Sequence, residues 1–272
     1  MDFKFINDIP EGVGISSFKT QKFIKHVTEK CPLMRAFMLI RDNIVAAEGY
    51  FKPFDYKTEF KGETLRGAAG KILSGGRSEG AEAICTDGNT VFIFLSGAPV
   101  EDGVMAEIKS GLSELSSEKD KIDCAVMDSY EKLLLYLSEL KTPLPGSDRE
   151  EESEKTYGGK VYSLSQNAQG IEWARLSWGD KTVALRFKDK SGEKEVYIGR
   201  GEYRKFSFAE PAADGYAAGY WENPDCYAVV IDFIGNRTGG MKLTFGFDGD
   251  KIKISAANSD EAEFVFEGAV SK

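Results

Sequence analysis

The side chains able to do chemistry are few and scattered in this sequence. Its single histidine, His26, lies in a helical pattern near Lys25 and Lys30, and no serine or carboxylate motif surrounds it. A free histidine titrates near neutral pH and can act as a general base. The helical pattern around His26 instead predicts an exposed residue on a helix surface. The four cysteines form no Cys-x-x-Cys pair, which together with one histidine predicts reduced structural thiols and neither a metal site nor a cofactor. They are Cys31, Cys85, Cys124 and Cys226.

The densest group of carboxylates follows Pro143-Leu144-Pro145-Gly146, in the run SDREEESEK. Pairs such as Asp148 and Glu150 have the residue types for acid-base catalysis. Prolines bar regular structure and like charges favour solvation, so the pattern predicts an acidic linker over residues 146–158. A flexible linker cannot hold two carboxylates at the fixed separation that such catalysis needs.

Upstream of this linker, the elements begin with a helix and a hairpin. A helical pattern opens at Ser16 or Ser17 as N-cap and stops before Pro32. The stretch Met34–Phe51 then consists of two apolar runs joined at Asp42 and Asn43, which predicts a two-residue hairpin turn.

At these residues the chain resembles a family. EGVGISSFKTQKF and MRAFMLIRDNIVAAEGYFKPFD are similar to the opening of serine hydrolases related to class C β-lactamases and DD-peptidases, often called β-lactamase-related. The resemblance implies a catalytic Ser-x-x-Lys soon after the hairpin, a Tyr-x-Asn and a Lys/His-x-Gly strand. Residues 62–65, Gly-Glu-Thr-Leu, stand where the first motif belongs and contain neither its serine nor its lysine.

Other segments match the family's motif patterns, but they do not lie at the positions where the family has its catalytic residues. Ser16–Lys19 begins the first helix and Ser138–Lys141 ends a predicted last helix. Ser165–Asn167 and Arg237–Gly239 are weak three-residue matches in the other half of the chain, and there is no Tyr-x-Asn. The chain, with 272 residues, is also shorter than is usual in the family, which predicts that the family's helical subdomain is deleted here. We therefore name no catalytic residue and leave enzymatic activity open, favouring its loss.

The rest of residues 1–145 continues the α+β pattern. A short helix follows at Glu63–Ser74, then a hairpin at Ala81–Ser96, a helix at Glu101–Leu115, a fifth strand at Ile122–Met127 and a helix after Asp128. This order predicts an antiparallel sheet of about five strands with helices mainly on one face, as a remnant of the β-lactamase-like fold. Small sensor folds of the profilin, roadblock or PAS type share this element order and remain an alternative.

Residues 159–272 change to an all-β pattern. About ten short strands alternate without a helix, with Tyr227, Val229, Ile231 and Phe233 on one face. Such a meander predicts a closed or nearly closed antiparallel barrel, because closure removes exposed edges. The order of its loose motifs resembles the lipocalin-like C-terminal domain found in many of these hydrolases. The resemblance covers residues 11–56, more weakly 81–145, and 158–267.

The barrel offers the one candidate ligand pocket. Its aromatic residues could line the pocket of a small apolar ligand, although filling a tapering core is the commoner use of such residues. The candidate pocket residues are Trp173, Trp178, Tyr203, Tyr220 and Trp221.

Composition excludes some partners. A net charge of −9 without clustered Lys and Arg argues against nucleic-acid binding. No apolar run approaches ~18 residues, and no signal sequence is evident at Met1, so we expect a cytoplasmic protein without a membrane span. If the helical subdomain is lost, the exposed sheet surface predicts a homodimer.

Three functions from different classes follow. The first is a non-catalytic descendant of the serine hydrolases that acts as a binding or assembly scaffold. The second is a divergent serine hydrolase of small esters or amides, with Ser74, Ser78 or Ser96 as candidates. The third is a carrier or sensor of a small apolar ligand, which needs a cavity of about 300 Å³ or more in the barrel.

Overall fold

The computed structural model divides the chain into two compact units, Met1–Pro143 and Leu144–Lys272, which we call the α+β unit and the barrel unit. The structure describes residues 4–79, 81–86, 89–97, 100–117, 126–144, 146–209, 212–235, 240–258 and 263–271.

The α+β unit consists of one sheet and the helices that cover it. Its helices are α1 Ser17–Lys30, α2 Leu65–Leu73, α3 Asp102–Ser117 and α4 Val126–Glu139, with a 3₁₀ turn at Pro10–Val13. Its strands are β1 Ile6–Asn7, β2 Met34–Arg41, β3 Ile44–Tyr50, β4 Ala81–Cys85 and β5 Thr90–Ser96, in the order β1-β3-β2-β5-β4.

Local signals explain the first helix and hairpin. The Ser16 hydroxyl caps α1 by accepting a hydrogen bond from the Lys19 backbone N–H at 3.4 Å. Asp42 and Asn43 both have positive φ, 51° and 65°, as a two-residue turn of this kind requires. Aspartate and asparagine tolerate that conformation better than other non-glycine residues. The predicted hairpin is therefore confirmed.

The centre of this sheet is buried on both faces. Every residue of β2 is buried. On one face Phe37 and Leu39 pack with residues from α1, α3 and α4, and on the other α2 contacts β2, β4 and β5. Three helices thus share one face, close to the predicted layer arrangement.

The fifth strand was predicted wrongly. It is β1, and it pairs parallel with β3, so the sheet is mixed rather than fully antiparallel. Val126 and Met127, expected at the end of a strand, begin α4 instead, and residues 122–125 lie outside the described part. The apolar spacing of α4 extends back to Val126, and a short apolar run does not distinguish a strand from a helix.

The barrel unit is a closed barrel, as predicted, and its strands pair antiparallel except at the point of closure. It begins with α5 Glu151–Tyr157, and its strands are β6 Tyr162–Leu164, β7 Trp173–Trp178, β8 Thr182–Asp189, β9 Gly192–Arg200, β10 Arg204–Ala209, β11 Ala212–Asn223, β12 Cys226–Ile234, β13 Gly240–Asp248, β14 Lys251–Asn258 and β15 Glu263–Val270. Neighbouring strands pair antiparallel from β11 through β15 to β6 and on to β9. Two parallel pairs, Ala218 with Gly199 and Gly219 with Arg200, join β9 to β11 and close the ring, while β10 pairs with the first half of β11.

The structure differs from the sequence interpretation in the acidic segment. Residues 146–158 were expected to be a flexible linker, but Glu151–Tyr157 form α5, and Ser153 and Tyr157 are buried. The Tyr157 ring stacks on Phe247 at 4.3 Å and its hydroxyl donates to Asp225 Oδ1 at 2.8 Å. These contacts with the barrel stabilise a helix that its charge pattern alone would not predict.

Candidate functional site

The two ends of the barrel differ. We call the end where α5 packs the α5 end; β7 and β9 finish there, at Trp178 and Arg200. We call the opposite end, with the turn between β8 and β9, the mouth. Inner-face positions are identified by strand alternation and register, starting from the side chains in the barrel core.

Three aromatic rings pack together at the α5 end. Trp178 and Trp221 stack with their centroids 5.3 Å apart, and the Tyr227 ring meets them edge-on at 5.4 Å and 5.0 Å. The Tyr227 hydroxyl lies against Gly219, where a Cβ would come within 2.0 Å of its oxygen. Only glycine fits at that position, because any side chain would displace the tyrosine.

Of the three polar atoms in this aromatic cluster, only Trp221 Nε1 forms a hydrogen bond with a described residue, donating to Glu154 Oε1 at 3.4 Å. Trp178 Nε1 and Tyr227 Oη are buried and form no hydrogen bond with any described residue. Burial raises the pKa of the Tyr227 hydroxyl, and the nearby Trp178 N–H opposes that rise without reaching normal hydrogen-bond geometry.

A buried ion pair fastens α5 to this end. The Arg200 guanidinium pairs with the Glu154 carboxylate, and their side chains are only 5% and 14% exposed. Arg200 also donates to the backbone oxygens of Asp148 at 2.9 Å and Gly179 at 2.7 Å. The Arg200 side chain, on β9, therefore contacts α5, the segment before α5 and the turn after β7.

The middle of the barrel is filled by closely packed side chains. Nine inner-face residues there are between 0% and 8% exposed: Leu176, Leu185, Val196, Ala217, Val229, Ile231, Phe245, Ile254 and Phe266. This packed layer is the floor of the mouth, so a ligand entering there would bind above it.

The mouth is lined by apolar side chains that are less buried. Phe187, Phe233, Met241 and Leu243 are half-buried inner-face residues packed against the core. Phe264 pairs with Ala256 on the same face, two residues before the buried Phe266, and is 42% exposed. An exposed aromatic ring on the inner face of a barrel is available to a ligand.

One ion pair lies on the inner face among these residues. Lys194 stands directly opposite Phe187, and its ammonium contacts Asp189 Oδ2 at 2.7 Å. Hydrogen bonds from Lys194 and Ser191 lower the pKa of Asp189 to about 2. A lowered carboxyl pKa stabilises the folded state at pH values above the ordinary pKa of the group, and this contribution is lost as the pH falls from there through about 2. The Asp189 carboxylate therefore stays charged over the physiological pH range.

The five aromatic residues predicted from the sequence do not form one pocket. Trp178 and Trp221 come together on the inner face at the α5 end. Trp173 and Tyr220 alternate with inner-face neighbours and so point outward, and Gly146 covers Tyr220. Tyr203 is half-buried between β9 and β10.

Sequence reasoning missed the charged residues of the barrel ends and the mouth phenylalanines. Arg200 and Glu154 are 46 positions apart and show no joint signal. Alternation along β12 did place Phe233 on the face of Tyr227, but alternation does not reveal which end of a barrel stays open.

The two Ser-x-x-Lys matches and the segment expected to hold the nucleophile serve structural roles, while residues 237–239, another motif match, lie outside the described part of the chain. Ser16 caps α1, Ser138 Oγ donates to the Leu135 backbone oxygen at 2.7 Å, and Thr64, in the segment expected to hold the nucleophile, caps α2. His26 is exposed on α1, with its Nε2 4.0 Å from Glu107. None of these arrangements joins a serine to a general base.

The described residues contain no cluster of metal-ligating side chains. Within the same described part of the chain, no helix is both long and apolar enough to cross a membrane. Cys31, Cys85 and Cys226 are free thiols.

Comparisons with known proteins give a fold likeness only. No protein family matches the sequence, and no curated protein does. A fatty-acid-binding protein from Drosophila melanogaster brain is 7% identical over 42% of this chain and 99% of its own, with a TM-score of 0.35. A Schistosoma mansoni fatty acid binding protein in complex with arachidonic acid is 8% identical over 44% of this chain and 99% of its own, with a TM-score of 0.37. Human cRBP IV is 9% identical over 41% of this chain and 96% of its own, with a TM-score of 0.34. Likenesses at these scores establish neither kinship nor a ligand.

Proposed function

We propose that the barrel unit binds a small apolar or amphipathic molecule at its mouth. The observation that carries this proposal is the exposure of apolar inner-face side chains, above all Phe264 at 42%, over a middle layer that is at most 8% exposed. Covering such side chains with a ligand removes apolar surface from water and so favours binding.

The mouth also limits the size of the ligand. The packed middle layer, which includes Phe245 and Phe266, prevents deep entry without rearrangement. The ligand therefore lies among Phe187, Phe233 and Phe264, with one end near Lys194 and Asp189. Because those two charges neutralise each other, the apolar contacts supply most of the affinity.

Binding of the neutral dye N-phenyl-1-naphthylamine tests this proposal, because its fluorescence rises in apolar surroundings. Phe264 and Val265 are consecutive, similarly exposed at 42% and 48%, and on opposite faces of β15. We expect Phe264→Ser to weaken dye binding about tenfold, the equivalent of losing about 1.4 kcal/mol of apolar contact. We expect Val265→Ser to leave it unchanged.

Two results would contradict the mouth as a binding site. One is a folded wild-type protein that does not bind the dye. The other is an equal loss in the two variants, which would mean that the dye binds the outer surface. Circular dichroism of each variant checks that the fold is intact.

The descent of the α+β unit from serine hydrolases stays a prediction. If it holds, we expect the unit to be a non-catalytic scaffold for binding or assembly. Ser16, Ser74 and Ser138 take part in hydrogen bonds with the backbone of their own helices, and Ser78 Oγ donates to Glu63 at 2.7 Å. We therefore expect neither a fluorophosphonate nor a fluorescent penicillin to form an adduct, as read by intact mass. A single stoichiometric adduct on a mapped serine would instead establish a divergent hydrolase.

A further inference from the structure

A groove of about 470 Å³ runs between α5 and β7, at the end of the barrel opposite the mouth. Its walls include Glu154, Lys155, Gly158, Gly159, Ser177 and Trp178. A Cβ on Gly158 would lie 3.6 Å from the Trp178 ring, and Gly159 has a positive φ of 74°. Because these two residues have no side chains, the groove reaches the indole of Trp178.

Behind that indole are polar atoms to which the described residues offer no hydrogen bond. Trp178 Nε1 and Tyr227 Oη are both buried without a hydrogen bond to any described residue, and Tyr227 is 0% exposed. Buried polar groups are almost always hydrogen-bonded, because one left without a partner has lost its contact with water and gained nothing in return. The two groups lie close enough for the Trp178 N–H to affect the pKa of the Tyr227 hydroxyl, yet the described residues supply neither atom with a hydrogen bond, so both remain available to a ligand.

The chemistry of the two groups defines that partner. An indole nitrogen only donates a hydrogen bond, and a phenol can donate one, so together they recognise an oxygen that accepts. The charges nearby are already balanced, because Arg200 pairs with Glu154. A charged ligand would lose its hydration at this low-dielectric end without gaining a charge partner, which costs free energy. A neutral ligand avoids that cost.

We propose that the α5 end of the barrel binds a small neutral molecule, such as a ketone, amide or alcohol, whose oxygen accepts hydrogen bonds from Trp178 and Tyr227. The ligand enters along the groove, and its apolar part lies against the Trp178 ring. This site is separated from the mouth by the packed middle layer, so it is independent of the function proposed there.

Indole N–H resonances of the ¹⁵N-labelled full-length protein test the proposal with cyclohexanone as probe. Three tryptophans give three signals, and Trp178→Phe and Trp173→Phe assign them. We expect cyclohexanone to shift the Trp178 signal saturably and to leave that of the outward-facing Trp173 unchanged. Methylcyclohexane, which lacks the oxygen, and cyclohexanecarboxylate, which is charged, should not shift the Trp178 signal.

Tyr227→Phe removes only a hydroxyl that makes no hydrogen bond with the described residues, so this variant should fold. We expect it to weaken cyclohexanone binding about fivefold, as for the loss of one hydrogen bond. Tyr197→Phe is the matched control, since that hydroxyl donates to Glu195 on the outer face of β9. It should bind cyclohexanone as the wild type does.

Three results would overturn the proposal. They are the absence of a saturable shift, equal shifts by all three probes, and unchanged affinity in Tyr227→Phe. A Trp178 N–H that shows magnetisation transfer from water and does not respond to cyclohexanone would identify an ordered water as the partner. That result also counts against a ligand site. None of these results bears on dye binding at the mouth.

Discussion

Replacing Arg200 with methionine is expected to lower the free energy of unfolding of the barrel unit by about 3–5 kcal/mol. Methionine fills a similar volume, but it leaves the Glu154 carboxylate without its charge partner in a site where the two side chains are only 5% and 14% exposed. The backbone oxygens of Asp148 and Gly179 also lose their donor. The loss is large because a buried charge without a partner pays its full desolvation cost.

Urea unfolding followed by tryptophan fluorescence measures this loss, because Trp178 and Trp221 pack at the same end. Arg186→Met is the matched control: Arg186 pairs with Glu195 on the outer face and is 47% exposed, so its removal should cost no more than about 1 kcal/mol. The double variant Arg200→Met/Glu154→Gln should recover much of the stability, because no unpaired charge remains. Equal losses for Arg200→Met and Arg186→Met would show that the buried pair does not fasten α5.

Replacing Phe37 with alanine is expected to destabilise the α+β unit by about 3–5 kcal/mol. Phe37 is 0% exposed in the centre of the sheet, with its ring centroid 5.7 Å from Phe92 and 6.3 Å from Phe51. Gly49 allows this packing, since a Cβ there would come within 2.6 Å of the Phe37 ring. Removing the ring leaves a cavity that these rigid neighbours cannot fill.

Far-UV circular dichroism during urea unfolding reports this change, because four of the five described α-helices belong to the α+β unit while all three tryptophans lie in the barrel unit. Phe18→Ala is the control, since Phe18 is on α1 and 52% exposed. Its effect should stay within about 0.5 kcal/mol. A comparable effect in both variants would argue against Phe37 as a core residue.

Short-range physics made much of this fold predictable. The Asp42-Asn43 turn follows from which residues tolerate positive φ, and the start of α1 follows from a serine N-cap, and both are properties of a few adjacent residues. Alternation along β12 likewise placed Tyr227 and Val229 on the inner face. These signals are local and do not depend on contacts with residues far away in the sequence.

Helix α5 shows where such signals fail. The three acidic residues in its first turn favour the start of a helix, but a helix of seven residues is not stable alone in water. The helix forms because Tyr157 stacks on Phe247 and Glu154 pairs with Arg200, residues more than 40 positions away. Only the closed barrel brings them together.

The sequence by itself determined that the second unit is a β meander with alternating faces. It determined neither the mouth at Phe264 nor the packed α5 end. Ring closure joins Gly199 to Ala218 across strands that are not consecutive, and α5 then covers one end. Which inner-face residues remain exposed depends on these long-range pairings, because alternation sets the face of a side chain and tertiary packing sets its burial.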